Sequence, residues 1–285
     1  MIGIVLVNKP SGITSSKVVV KVRHMAKIKR VGHLGTLDPL ASGVLPVCIG
    51  KATRLFDLFL KKKKTYIAHI EFGKLTDSLD IDGNVVETNS IIPTEEEINA
   101  VLPSFLGEQE QIPPIYSSKV IAGVRAYKLA REGKEVELKP SLITIYDIKL
   151  LEKVDDKTFS FEITCSSGTY IRSIARDLGY KLSTLGTISK LIRTKTGKFD
   201  LSECVDLDKL NEENIKDYVF PLNRILEDYD KIDLEEKEVN DIFCGKSLNK
   251  NLTDGTYILY YDGEVVGLGV INNKILKLST SLKED

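Results

Sequence analysis

Apolar residues fill positions 2–7, IGIVLV, and the run is closed at once by NKPSG, so the N-terminus predicts a short buried strand followed by a turn. The period then changes. Val18, Val22 and Met25 recur at helical spacing, which predicts a helix from about Lys17 to Ile28 with Ser15 or Ser16 as its cap. TYIAHIEFG alternates as a half-buried strand does, and Thr94 in TEEEINAVLPSFLG is a helix-start signal. SLITIYDIKLLEKV and KTFSFEITCSSG predict paired strands, after which TYIRSIARDLGYKLS returns to helical period. Strands and helices interleave without regular βαβ spacing or a dinucleotide-binding fingerprint. The expectation is an α+β domain built on a mixed, largely antiparallel sheet.

Past an acidic segment near Glu227 to Glu238, the pattern becomes purely β. GTYILYYDGEVVGLGVINNKILKLST carries turn signals at Asp262-Gly263 and Asn272-Asn273 between β-rich runs. Such a module is too small to be an independent enzyme core and is expected to lean on the first domain. The boundary is placed near 229, giving domains 1–228 and 229–285. No repeat of 20 to 50 residues and no low-complexity segment is present.

A content of 28% charged and 42% hydrophobic residues is that of a soluble globular chain, and no apolar run approaches the roughly 20 residues needed to span a bilayer. A cytoplasmic location without membrane contact is expected. Cys48, Cys165, Cys204 and Cys244 are isolated from one another and read as buried thiols, and His24, His33 and His69 lack metal-ligand spacing, so no metal site is expected. Two stretches imitate a phosphate loop. GVLPVCIGKAT has six residues between Gly43 and Gly50 where four are required, and NDIFCGKS has Asn240 in place of the first glycine. A nucleotide cofactor is therefore not expected.

Formal net charge is −1, but it is divided unevenly. Residues 1–66 hold thirteen Lys or Arg against two acids, net +11, which leaves −12 for the remainder. A basic face is the electrostatic footprint of polyanion binding. Asp38 is the first acid in the chain and stands in G-H-x-G-x-L-D-P. On local chemistry it fits a reactive carboxylate and, equally, an Asx turn capping a helix at Pro39.

GHLGTLDPLASGVLPVCIGKATR resembles the signature of the TruB family of tRNA pseudouridine synthases. The likeness extends in order through VNKPSGITS, KTYIAHIEFGKLTDSLDIDG, QIPPIYSSKVIAGVRAYKLAREG, SSGTYIRSIARDLG and LIRTKTGKF, over residues 1–200. It implies the pseudouridine synthase fold with a small C-terminal β-rich, PUA-like RNA-binding domain. It also implies isomerisation of a flipped-out uridine, uridine-55 of the tRNA T-loop, without a cofactor, metal or obligate protein partner. Asp38 is then the catalytic aspartate, Tyr66 the tyrosine lying against the target base, and Arg172 the ionic partner of Asp38. Lys9 and Pro10 are placed beside the site, His33 among residues that help extrude the base, and Leu191 on the pocket wall. A mobile clamp over the RNA T-arm is implied at about 116–140, with Lys119, Arg125, Lys128, Arg131 and Lys134 as its bases. Arg193 is the base of the LIRT segment, where relatives often carry a pair of Arg, and is assigned to substrate binding. A folding role toward tRNA is compatible with catalysis. The alternatives are a catalytically idle RNA chaperone and a guide-RNA-dependent relative.

Overall fold

The computed structural model describes residues 1–60, 62–117, 120, 121, 124, 125 and 138–283. Its first twelve strands are β1 (Gly3–Lys9), β2 (Val31–His33), β3 (Ser42–Ile49), β4 (Lys64–Phe72), β5 (Lys74–Thr76), β6 (Val85–Thr88), β7 (Gly107–Gln111), β8 (Val120–Ile121), β9 (Val124–Arg125), β10 (Ser141–Lys153), β11 (Thr158–Cys165) and β12 (Gly186–Thr196). The two-residue strands β13 (Phe199–Asp200), β14 (Val205–Asp206) and β15 (Val219–Phe220) follow. Eleven strands form one sheet along the order β14-β1-β3-β12-β4-β11-β10-β7, with β2, β13 and β15 attached to its sides. Only β1–β14 and β3–β12 pair in parallel, so the sheet is mixed and largely antiparallel as expected.

Helices α1 (Ser15–Ala26), α2 (Phe56–Leu60), α3 (Glu95–Val101) and α4 (Ile171–Lys181) flank the sheet. Thr94 caps α3 through a capping box with Glu97, as its sequence signal predicted. The start of α1 differs by a residue or two. Its cap is Thr14, whose hydroxyl accepts from Lys17 N at 3.2 Å, while Ser15 lies buried inside the helix with its hydroxyl committed to Leu37.

Period-two alternation along β1 feeds two separate cores. Val5 and Val7 join Val18, Val19 and Val22 of α1 on one face, whereas Ile4 and Leu6 join Ile258, Val265, Leu268 and Leu282 of the C-terminal module on the other. That module is a five-stranded sheet in the order β16-β18-β19-β20-β17, from β16 (Lys231–Asp233), β17 (Leu248–Asn249), β18 (Gly255–Tyr261), β19 (Glu264–Asn272) and β20 (Ile275–Ser281). The Asp262-Gly263 turn forms where predicted, with φ of +50° and +76°. The next turn is centred one residue later, on Asn273-Lys274, because Asn272 pairs with Ile275 in the ladder. Lys51 and Arg54 donate to the carbonyls of Lys283 and Ser281, so two bases of the N-terminal third serve this junction. Cys48 and Cys165 are buried; Cys204 is half-buried and Cys244 is exposed just past the helix Glu236–Phe243, against the expectation of four buried thiols.

The loop between β2 and β3, which carries Asp38, is held from behind at nearly every peptide. Ser15 Oγ donates to Leu37 O and accepts from Leu37 N, both at 2.9 Å. Gly12 N donates to Pro39 O at 2.8 Å, and Ser11 Oγ to Leu40 O at 2.7 Å. Lys9, fully buried, donates from Nζ to the carbonyls of Pro10, Ile13 and Pro39 at 2.9, 2.7 and 3.2 Å. Just past the loop, Gly43, the second residue of β3, sits at φ +103°, where a Cβ would stand 2.2 Å from the Arg193 carbonyl oxygen; only glycine lets β3 approach β12 there. Burial lowers the Lys9 pKa to about 8, while the nearby Asp38 charge opposes that shift.

Two measurements test this framework. Ile258→Ala, at a fully buried position shared by both domains, is expected to cost about 2–5 kcal/mol and to lower a single calorimetric transition for the whole chain. Two transitions with one unshifted would show independent units. For Lys9 the folded pKa is depressed, so the unfolded chain binds the extra proton between pH 8 and 10.5, and this group makes stability rise with pH across that window, by at most about 1.4 kcal/mol per pH unit. Lys9→Met is expected to flatten the rise in urea titrations at pH 7 to 10, and to lose at least about 1–3 kcal/mol at pH 7 from carbonyls left without a donor.

Candidate active site

Asp38 does not cap a helix. Its carbonyl accepts from Ala41 N at 3.1 Å to close a turn, the chain passes directly into β3, and the carboxylate points instead at α4. Arg172 is the second residue of α4, which has no side-chain cap of its own. Gln111 of the edge strand β7 supplies an acceptor for the orphan Tyr170 N at 2.8 Å, and also donates to Tyr170 O at 3.0 Å, which already accepts from Ile174 N. The guanidinium is fixed by four contacts of its own. Its Nη2 lies 2.9 Å from Asp38 Oδ2 and donates to Tyr116 O at 2.9 Å; its Nη1 donates to Ser78 O at 2.8 Å and lies 3.3 Å from Asp80 Oδ2.

The two carboxylates on Arg172 are not equivalent. Side-chain exposure is 5% for Arg172 and 9% for Asp80, against 37% for Asp38, so Asp38 is the partner that faces outward. Asp80 accepts from Ser78 Oγ at 2.6 Å and from Asp82 N at 3.2 Å. Burial nevertheless raises its pKa, outweighing the opposing pull of Ser78 and Arg172. Leu79, between them, sits at φ +63°, a backbone cost of about 1–2 kcal/mol carried by the surrounding bonds.

Asp38 and Arg172 border a cavity of about 360 Å³, within the usual range for small-molecule sites. Tyr66 of β4 and Leu191 of β12 line it from adjacent strands, where Leu191 stands opposite Ala68 and Arg193 opposite Tyr66. Burial pushes the Tyr66 phenol up to about 12, with Arg193 pulling the other way, so the hydroxyl is neutral at physiological pH. Lys64, also on the wall, donates to Ser167 Oγ at 2.9 Å, and burial lowers its pKa to about 8.

Of the residues singled out in the sequence, Asp38, Tyr66, Arg172, His33, Leu191 and Arg193 all line this cavity. Arg193 is fully buried, with Nε donating to Val44 O at 2.9 Å and Nη2 to Gly35 O at 3.2 Å. Lys9 lies behind the Asp38 loop, and Pro10, exposed, lends it a carbonyl. Lys119, Lys128, Arg131 and Lys134 fall outside the described residues, as does most of the segment 116–140, and Arg125 is placed by its backbone alone. Sequence reasoning missed Asp80, Lys64 and Gln111. Asp80 stands among Asp77 and Asp82 in one acidic stretch with nothing local to single it out, and Gln111 is an edge-strand polar residue like its neighbours.

Two family models match the chain. The TruB family pseudouridylate synthase (N terminal domain) covers residues 23–171, and the tRNA pseudouridylate synthase B C-terminal domain covers residues 172–232. A tRNA pseudouridine synthase B from Clostridium kluyveri is 42% identical over 95% of this chain and 96% of its own length. Its counterpart from Clostridium novyi is 41% identical over 99% of this chain and 100% of its own. Among solved structures, an H/ACA RNP bound to a substrate RNA containing 2'-deoxyuridine includes a chain that superposes with a TM-score of 0.74 at 22% identity, covering 99% of this chain and 85% of that one. At that identity the likeness speaks to the fold: a pseudouridine synthase sheet domain with a C-terminal PUA-like β module. Family matches, full-length relatives and an Asp–Arg pair at the mouth of a nucleoside-sized cavity converge, and the chain belongs to the TruB family of pseudouridine synthases.

Proposed function

We propose that this protein isomerises uridine-55 in the T-loop of tRNA to pseudouridine, with Asp38 as the reacting carboxylate. The observation that carries the reading is the 2.9 Å contact between a partly exposed Asp38 and a buried Arg172 at the border of the cavity. The full-length relatives bear the name tRNA pseudouridine synthase B, and the basic N-terminal third suits an RNA substrate. In the reaction the ribose C1′–N1 bond breaks, the uracil turns, C1′ bonds to C5, C5 gives up its hydrogen to solvent and N1 takes a proton. Nothing is added or removed, so no second substrate is required.

Each wall of the cavity suits a part of that task. The Asp38 carboxylate, oriented by Arg172 at 2.9 Å, meets a sugar with oxocarbenium or glycal character. Tyr66, neutral because its pKa is about 12, is poorly suited to take a proton and well suited to lie flat on the base. His33, at the cavity wall, helps displace the uridine from its stack, and Leu191, on the strand next to that of Tyr66, adds apolar wall. Lys9 keeps the Asp38 loop in register from behind.

Release of tritium from C5-labelled uridine in an unmodified tRNA transcript, without ATP or added metal, measures turnover directly. No release by the unaltered protein would reject the reading. Asp38→Asn is expected to cut release by more than about 10³-fold while leaving tRNA affinity within a few-fold. Arg172→Lys is expected to lower kcat by roughly 10²-fold at similar affinity, because an ammonium cannot hold two carboxylates and two carbonyls in fixed directions. An unchanged kcat in that variant would remove Arg172 from its orienting role.

A further inference from the structure

Phe56 is a large apolar side chain that the fold leaves facing solvent. Its neighbours in sequence behave differently: Leu55 is fully buried and Phe59 is 7% exposed, both packed into the core shared with the C-terminal module, whereas Phe56, at the start of α2, is 39% exposed. It is not scattered at random on the surface. Phe56 lines the same cavity as Asp38 and Tyr66, together with His33 and Thr36 of the strand and loop leading to Asp38. An apolar aromatic ring therefore stands at the rim, while Tyr66, 7% exposed, stands at depth.

We propose that Phe56 is a positioning residue that stacks on the base of a nucleotide neighbouring the target uridine, one that stays outside the cavity when the uridine enters it. The inference rests on the proposed RNA substrate and extends it to a second nucleotide. Flipping a base out of a stack leaves its former neighbours with uncovered faces, and the loss must be recovered for extrusion to be favourable. An aromatic ring recovers it without reading base identity, since every base has a π-face. Phenylalanine carries no polar atom to hydrogen-bond with RNA, so stacking is the interaction it has to offer at a cavity mouth. His33, on the same rim, borders the path the uridine takes, and Phe56 covers what the uridine leaves behind.

The protein contains eleven tyrosines but no tryptophan, so Phe56→Trp creates a single indole at this position, which can be excited selectively over the tyrosines. In the full chain that also carries Asp38→Asn, to prevent turnover, emission from the introduced indole is expected to be quenched at least about twofold by a T-arm RNA hairpin, as stacking on a base requires. In the otherwise unaltered protein, Phe56→Leu and Phe56→Ala are expected to raise KM for the transcript roughly 10-fold with kcat within about threefold, and Phe56→Trp to restore KM. Leucine keeps apolar bulk but has no ring face, so a merely structural role would leave Phe56→Leu at the parental KM. Parental KM in Phe56→Leu, or unchanged indole emission while filter retention shows the hairpin bound, overturns the inference. Either result leaves tritium release by the parent intact, whereas failure of the proposed function removes that release itself.

Discussion

Everything at the site depends on one guanidinium held by four acceptors drawn from separate parts of the chain. Arg172 gathers Asp38 from the β2–β3 loop, Ser78 and Asp80 from the β5–β6 connection, and Tyr116 from beyond β7. A buried cation with one carboxylate removed is left uncompensated, at a cost of about 3–5 kcal/mol. Two carboxylates change that balance. On the proposed chemistry Asp38 gives up charge as it engages the sugar, and Asp80 keeps Arg172 paired throughout, so the orienting group stays in place while its partner reacts. The two acids differ in exposure, 37% for Asp38 against 9% for Asp80, so Asp38 is the one a ligand in the cavity can reach.

Behind Asp38 the fold places cations where a loop of glycine and small residues has few side chains with which to pack. Lys9 and Arg193 are both fully buried, and both spend their donors on carbonyls of this loop or its flanks. Hydrogen-bonding a carbonyl with a charged donor is stronger than with a neutral one, so a few side chains fix a segment that has little apolar surface of its own. The same cations surround the one outward-facing carboxylate with positive potential.

What was legible in the sequence was the chemistry that comes in contiguous blocks. Alternation in TYIAHIEFG gave the strand that carries Tyr66, helical period in TYIRSIARDLGYKLS gave the helix that carries Arg172, and both boundaries fell within a few residues. What escaped were contacts between distant segments with no local mark. Asp80 meets Arg172 across 92 positions of chain, and Gln111 completes the start of α4 across 59, so neither spacing nor composition could pair them. The helix imagined at Pro39 failed for a related reason: local turn chemistry allows it, but the parallel pairing of β3 with β12 draws the chain into the sheet at Ser42. The cap of α1 and the last turn of the C-terminal sheet moved by a residue because burial at Ser15 and ladder register at Asn272 overrode local preference.

A chain with a net charge of −1 can still present a basic face because the sheet keeps its charges apart. Among the described residues α1 and its C-cap expose Lys17, Lys21, Arg23, His24 and Lys27, of which only Lys27 forms an ion pair, with Glu212. The C-terminal module lies against the opposite face of β1, as the split of Val5 and Val7 from Ile4 and Leu6 requires. On that side and within the module several bases are already spoken for: Lys198 pairs with Glu227 and Asp228, Arg224 with Glu203, Lys246 with Asp241 and Lys250 with Glu238. Packed layers stand about 10 Å apart, so α1 and the module are separated by roughly 20 Å, about two Debye lengths at 0.1 M salt. At that distance the charges of the acidic module weigh little, through solvent, on the potential at the exposed face of α1, which is set by the local charge of the helix rather than by the sum over the chain.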